Sequence, residues 1–208
     1  MKKDKKIIFL DIDGVLNSDK TCHYYHDKYG DNGFGGFFRS SPWSVGFGEV
    51  VENPTEEDIK WGQDLVDNLK RVVNETGAEI VISSTWRQTH LPPAFVKMFK
   101  TYFFDDAPVI GATPRIYDIP KGIFPERKMS EYLYPTRGYE IQYWLDNHPE
   151  VMTYCIIDDS SDFTERQKSF FVHTDYKVGF SSDDADKAIK ILNNKIYAPK
   201  LKRRWRKI

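Results

Sequence analysis

Cysteine is scarce in this chain. Of 208 residues, two are cysteines, Cys22 and Cys155, far apart and in no paired metal motif. That excludes a disulfide framework, and Cys155, inside an apolar run, reads as a core thiol. No apolar run approaches the roughly 18 residues that cross a bilayer, which excludes a helical membrane span. Met1–Lys6 is charged, but the apolar segment after it is short and ends in aspartates, so no signal peptide is expected. A cytoplasmic, reducing location with no membrane partner follows as the expectation. Nor does one sign of charge dominate: 30 Lys and Arg face 31 Asp and Glu, for a formal net charge of −1. A generally basic, DNA-coating protein is thereby disfavoured. There is no internal repeat and no low-complexity tract.

What is present suits a globular enzyme. Hydrophobic residues make up 40% and charged residues 29% of the chain, ordinary for a folded protein. The length allows one α/β core plus a small insertion. Lys6–Asp11 (KIIFLD) holds a continuous apolar run too short for a helix, which predicts an interior strand of a parallel sheet. Asp64–Thr76 sets Leu65, Val66, Leu69, Val72 and Val73 on one helical stripe, with Gly77 as its stop. Ala78–Ser83, Val109–Ile110, Met152–Ile157 and, more weakly, Ser169–Thr174 read as further strands. Tyr139–Asn147 and Asp183–Asn193 read as helices. This alternation predicts an α/β fold with a doubly wound parallel sheet, whose ligand site lies beyond the carboxyl ends of the strands.

Two segments break the alternation. Asn17–Asp58, rich in Gly and aromatics (YYHDKYGDNGFGGFFRSSPW), is too long for an ordinary connection and predicts a lid or cap. Pro114–Pro135 is irregular and proline-rich. The chain is accordingly divided into a core, residues 1–194, carrying a cap insertion at about 17–58, and a basic tail, residues 195–208. From Lys195 onward there are seven Lys or Arg and no acid. A charge run is usually a solvated end, but this one also suits contact with nucleic-acid phosphates.

The strand ends carry the chemistry. The first ends in Asp11-Ile12-Asp13-Gly14-Val15-Leu16-Asn17, the second in Ser83-Ser84-Thr85-Trp86-Arg87, the fourth in Asp158-Asp159, and Arg137 stands just ahead of a helix. An ionised carboxylate can attack phosphorus, carboxylates hold Mg²⁺, and hydroxyls and cations neutralise a transferring phosphoryl group. DIDGVLN resembles the DxDG(T/V) signature of the haloacid dehalogenase (HAD) superfamily, and ISSTWR, RGYEIQYWL and IIDDSSDF resemble its later motifs in order. More narrowly, the combination resembles the HAD-type domains of bacterial and phage RNA-repair proteins.

The resemblance implies Asp11 as nucleophile and Asp13 as general acid and base, with the Asp13 carbonyl also touching Mg²⁺. It implies Ser83, with Ser84 second, as the phosphoryl-binding hydroxyl, and Arg137, ahead of Lys128, as the cation. Asp159 would bind Mg²⁺ directly, Asp158 would support it, and Asp162 would orient the site from behind.

Plainer readings stand beside these. Acidic turns after strands are common and some merely cap helices. Serine after a strand often forms a turn. Arg87 and Trp86 suit either ligand binding or packing of their loop, and Arg137 could simply pair with Glu140 or with an acid elsewhere on the surface. Cys22, His23 and His26 are too few and too irregular for structural zinc. The insert's aromatics, among them Tyr24, Tyr25, Phe34, Phe37, Phe38 and Trp43, form a small core of their own or stack on a nucleobase. Four motifs in order favour the catalytic reading: a Mg²⁺-dependent phosphomonoester hydrolase working through an aspartyl-phosphate on a nucleotide or nucleic-acid terminal phosphate. The alternatives are a 5′-nucleotidase or small-metabolite phosphatase and, from another class, a non-catalytic nucleic-acid-binding protein.

Overall fold

Residues 5–21, 23, 27, 62–88, 107–120, 123 and 136–197 are described by the computed structural model. Lys128, Cys22, His26, the insert's aromatics and the tail beyond residue 197 lie outside them; so does most of the 17–58 and 114–135 segments. His23 is exposed.

Five strands form the sheet: β1 (Lys5–Leu10), β2 (Glu79–Ile82), β3 (Val109–Ala112), β4 (Val151–Asp158) and β5 (Phe171–His173). Their order is β3-β2-β1-β4-β5 and every neighbouring pair is parallel. The apolar run that reads as an interior strand is the central one, with Ile7, Ile8, Phe9 and Leu10 all 0% exposed. Burying four such side chains stabilises the fold by roughly 1.5–3 kcal/mol each.

Side chains alternate between the two faces, as a strand's period of two requires. Ile8 and Leu10, with Ile80, Ile82, Cys155 and Ile157, share one core with helices α1 (Gln63–Thr76) and α3 (Ser182–Asn194). Ile7 and Phe9, with Val81, Tyr154 and Ile156, share the other with α2 (Thr136–Asp146). A doubly wound α/β sheet is thus what the chain forms. Cys155 is a free, buried thiol in the first of these layers.

Helix α1 ends at Gly77, whose left-handed φ of 66° places its N–H on the Val73 carbonyl. Helix α3 opens with a capping box between Ser181 and Asp184. Most element ends differ from the sequence reading by one or two residues, and two differences are instructive. β3 runs on through Gly111 and Ala112 because both pair with β2. Helix α2 begins at Thr136, so Arg137 lies inside its first turn rather than ahead of it. The cause is the loop after β4: Asp162 accepts from the Arg137 N–H at 3.1 Å and from the Gly138 N–H at 3.2 Å, satisfying donors at the helix start. Among the described residues, no helix is long and apolar enough to cross a membrane.

From β1 the chain steps to one side through β2 and β3, then returns to β4 and β5 on the other. The sheet order therefore reverses between β1 and β4, the place beyond the carboxyl ends where sheets of this kind form their ligand crevice.

Candidate active site

Register brings the predicted residues to that crevice. Leu10 pairs with Ile157 on one side and Ile82 on the other. The next residues along, Asp11, Asp158 and Ser83, are thereby level, and the Asp11 N–H donates to the Ile157 carbonyl at 3.0 Å. Carboxylate oxygens of Asp11, Asp158 and Asp159 all lie within 4.8 Å of one another.

Arg137 reaches them from α2. It begins a stripe continued by Ile141, Trp144 and Leu145, the residues that seat the helix on the sheet. Trp144 meets Phe9 edge-on with ring centroids 5.4 Å apart. This packing delivers the guanidinium to the carboxyl edge. Its Nη1 lies 2.7 Å from Asp11 Oδ2, 2.7 Å from Asp158 Oδ2 and 2.8 Å from the Ser83 carbonyl. The plain reading in which Arg137 pairs with Glu140 is corrected here. Glu140 pairs instead with Arg87, in a buried ion pair, and accepts from the Ile116 N–H at 2.7 Å. Arg87 also donates to the Ser84 carbonyl. It braces the turn after β2 against α2. Glu140 was missed as a structural anchor; its place on the helix face that also carries Ile141 and Trp144 is the signal that could have found it.

The two serines divide differently from the sequence preference. Ser83 continues the pleat of β2 on the same face as Val81, and its buried hydroxyl has no hydrogen-bond partner among the described residues. The backbone bends at Ser84, whose hydroxyl hydrogen-bonds the Asp11 carboxylate and accepts from the Trp86 N–H at 3.3 Å.

Asp13 is exposed and stands apart from the three clustered carboxylates. Asn17 Nδ2 donates to its Oδ1 at 2.9 Å and Trp86 Nε1 to its Oδ2 at 2.8 Å. Between Asp11 and Asn17 the chain turns tightly through Gly14, at φ 73°. A Cβ there would lie 2.3 Å from the Asp159 Cγ, so the position admits no side chain while Asp159 keeps its place. Asp159 is further held through its carbonyl, which accepts from His173 Nε2 at 2.7 Å.

Electrostatics follow from this crowding. Burial pushes the Asp11 carboxyl above the ordinary aspartate value, against Arg137 and the hydrogen bonds from Ser84 and Ile12. Asp158 moves the same way and further, by burial first and repulsion from Asp11 second. Asp159 is raised by burial and then by Asp11. Burial alone would lower the pKa of Arg137, but Asp11, Asp158 and Asp162 outweigh it and the guanidinium stays charged. The two directions are compatible, because one cation is shared among acids it cannot all serve.

The consequence for stability has a definite sign. An acid whose folded pKa exceeds its unfolded value binds more protons when folded, so stability is lost as pH rises from about 4 through the raised values. In EDTA, the melting temperature contributed by this site is expected to fall between pH 4.5 and 7. Asp11→Asn should flatten that fall; thermal melts of the two proteins across this range check it, and identical slopes would contradict it.

Three carboxylates against one guanidinium leave an excess of negative charge on hard oxygen donors. Such a donor set fits Mg²⁺, which takes one or two carboxylates together with substrate phosphate oxygens. Thiol and imidazole ligands are not among the clustered groups.

Residues 7–185 match the family model described as the HAD domain in Swiss Army Knife RNA repair proteins. No curated protein and no solved structure matches the chain. With the sheet order, the strand-end carboxylates and a match across most of its length in agreement, the chain belongs to this family of HAD domains and so to the phosphatase-type hydrolases.

Proposed function

We propose that the protein is a Mg²⁺-dependent phosphomonoesterase acting through Asp11 on a terminal phosphate of a nucleic acid or nucleotide. The observation that carries this reading is the bridge from Arg137 Nη1 to Asp11 Oδ2 and Asp158 Oδ2 beside Asp159. It is a nucleophile, a cation and a divalent-metal donor set in one crevice. The RNA-repair setting of the family supports the nucleic-acid substrate.

Asp11, Asp158 and Asp159, with the Asp13 carbonyl, would hold the ion. When bound, Mg²⁺ would neutralise charge on the phosphoryl oxygens and on the carboxylates around it. Asp11 attacks phosphorus through a carboxylate oxygen and becomes the aspartyl-phosphate. Arg137 contributes a donor that can move from one acceptor to another. Its Nη1 carries two hydrogens but faces three acceptors, so surrendering one contact to a phosphoryl oxygen sacrifices little. Ser84, already hydrogen-bonded to Asp11, is the hydroxyl placed to meet the phosphoryl group, ahead of Ser83. Asp13 protonates the leaving oxygen and then takes a proton from the attacking water. Arg87 supports the turn that carries Ser84 and is left out of substrate binding.

The core-plus-cap division at residues 17–58 and the nucleic-acid role of the basic tail at 195–208 belong to the same proposal. So does a cytoplasmic setting.

Phosphate release measured across mononucleotides and 3′- and 5′-phosphorylated oligonucleotides, with Mg²⁺ and with EDTA, tests the proposal. Release from oligonucleotide ends that stops in EDTA is expected. Release confined to mononucleotides would move the substrate to the 5′-nucleotidase reading. Oligonucleotide binding with no release from any substrate would refute the enzyme outright.

A further inference from the structure

Among the four acids at the crevice, Asp13 alone is solvent-exposed, and an exposed carboxylate ordinarily rotates freely. This one is gripped on both oxygens. Asn17 belongs to the turn that follows β1, and Trp86 to the 3-10 turn Thr85–Gln88 that follows β2. The grip therefore spans two strands. At its far end the indole packs against the α1–α3 core layer, and the Trp86 backbone N–H holds the Ser84 hydroxyl that in turn bonds Asp11. Asp13 and Asp11 are thus tied to one turn by separate atoms of it.

Resting on the phosphatase reading, the geometry assigns to Trp86 the role of a positioning residue: its indole N–H sets the Asp13 carboxylate in the orientation that proton transfer to the leaving oxygen requires. The indole can only donate, so Oδ2 stays an acceptor whether Asp13 carries a proton or not. That leaves Oδ1, on the Asn17 side, as the oxygen through which a proton is handed on. In the first half-reaction the bond from an Asp11 oxygen to phosphorus forms and the bond from phosphorus to the leaving oxygen breaks. The Oδ1 proton passes to that oxygen, which departs as an alcohol. In the second, water oxygen bonds to phosphorus, the Asp11–phosphorus bond breaks, and a water proton returns to Oδ1 as phosphate leaves.

A leaving-group comparison separates this role from simple packing. p-Nitrophenolate departs with little need of a proton, whereas the alkoxide of benzyl phosphate departs only when protonated. The ratio kcat/KM reports steps through leaving-group departure, so the later use of Asp13 as a base does not enter it. Trp86→Phe keeps an aromatic ring and removes the donor. Its kcat/KM is expected to fall roughly 30-fold on benzyl phosphate and about 3-fold on p-nitrophenyl phosphate. Because both substrates meet the same preparation, any loss of folded protein cancels in the comparison. If Trp86→Phe does not fold, 3-benzothienylalanine at position 86, a tryptophan isostere with sulfur in place of N–H, gives the same readout. Equal falls on both substrates, or none on either, would overturn the role, as would wild-type protein that hydrolyses p-nitrophenyl phosphate but not benzyl phosphate. Wild-type protein inactive on both substrates and on the oligonucleotide panel would instead remove the phosphatase reading itself.

Discussion

Asp11→Asn is expected to lower Mg²⁺-dependent turnover of p-nitrophenyl phosphate by at least about 10⁴-fold while the protein remains folded. The amide cannot form the covalent intermediate, and losing a nucleophile removes the whole chemical route rather than a fraction of it. The structural side of the expectation is equally specific. Asp11 is buried beside Asp158; burial raises the proton affinity of both against a single shared guanidinium, and Asp11 raises that of Asp158 further. Replacing one of these acids with a neutral isostere relieves repulsion and leaves Arg137 paired with Asp158. The variant should therefore melt at or above the wild-type temperature in EDTA at pH 7. Activity within tenfold of wild type would end the case for Asp11 as nucleophile. A fully unfolded variant would contradict the electrostatic account while leaving the chemistry to be tested by mass detection of phosphorylated Asp11 in the wild-type enzyme.

Arg137→Met should do the opposite to stability. The aliphatic stem is kept, but two buried carboxylates lose the cation they share, and an uncompensated buried charge of this kind costs about 3–5 kcal/mol. Removing the cation raises the proton affinity of both acids further. The loss should accordingly be largest near pH 7 and shrink toward pH 5, where protonation takes the place of the guanidinium. Turnover should fall roughly 10²–10³-fold, the scale for removing one donor from a developing negative charge. Arg137→Lys restores charge without the planar fork and should recover part of the stability and less of the rate. Denaturant melts at the two pH values, run beside kinetics, check both parts. Near-normal turnover in Arg137→Met would transfer the cation's role to another residue, with Lys128 the first to be tried.

The sheet and its carboxyl-edge acids were legible because their signals are local. The apolar run Ile7–Leu10 is too short for a helix and reads as a strand with both faces covered, and it forms the buried part of the strand Lys5–Leu10. The acids follow such runs directly, so placing Asp11 and Asp158 required no knowledge of distant contacts. Where the chain leaves the regular pleat, sequence position ceased to predict direction. Ser83 and Ser84 are adjacent and chemically alike, and a backbone bend decides which one meets Asp11. Partner choice across long separations was equally hidden. Arg87 and Glu140 lie 53 residues apart, and Trp86 and Asp13 lie 73 apart. Nothing in either local pattern encodes those pairings, because the closeness of β1, β2 and α2 creates them.

The central position of β1 also bears on how the protein comes into being. The strand is made first, yet one of its two flanks is closed only by β4, whose Lys5-to-Val151 and Leu10-to-Ile157 pairings join segments far apart in the chain. Parallel pairing at such separation is slow to form, and β1 is apolar on both faces until it is complete. A nascent chain released from the ribosome tunnel only as far as β3 holds Asp11 but neither Asp158 nor Asp159. The acid cluster and the covering of the second edge of β1 thus arrive together, in the single event that docks β4.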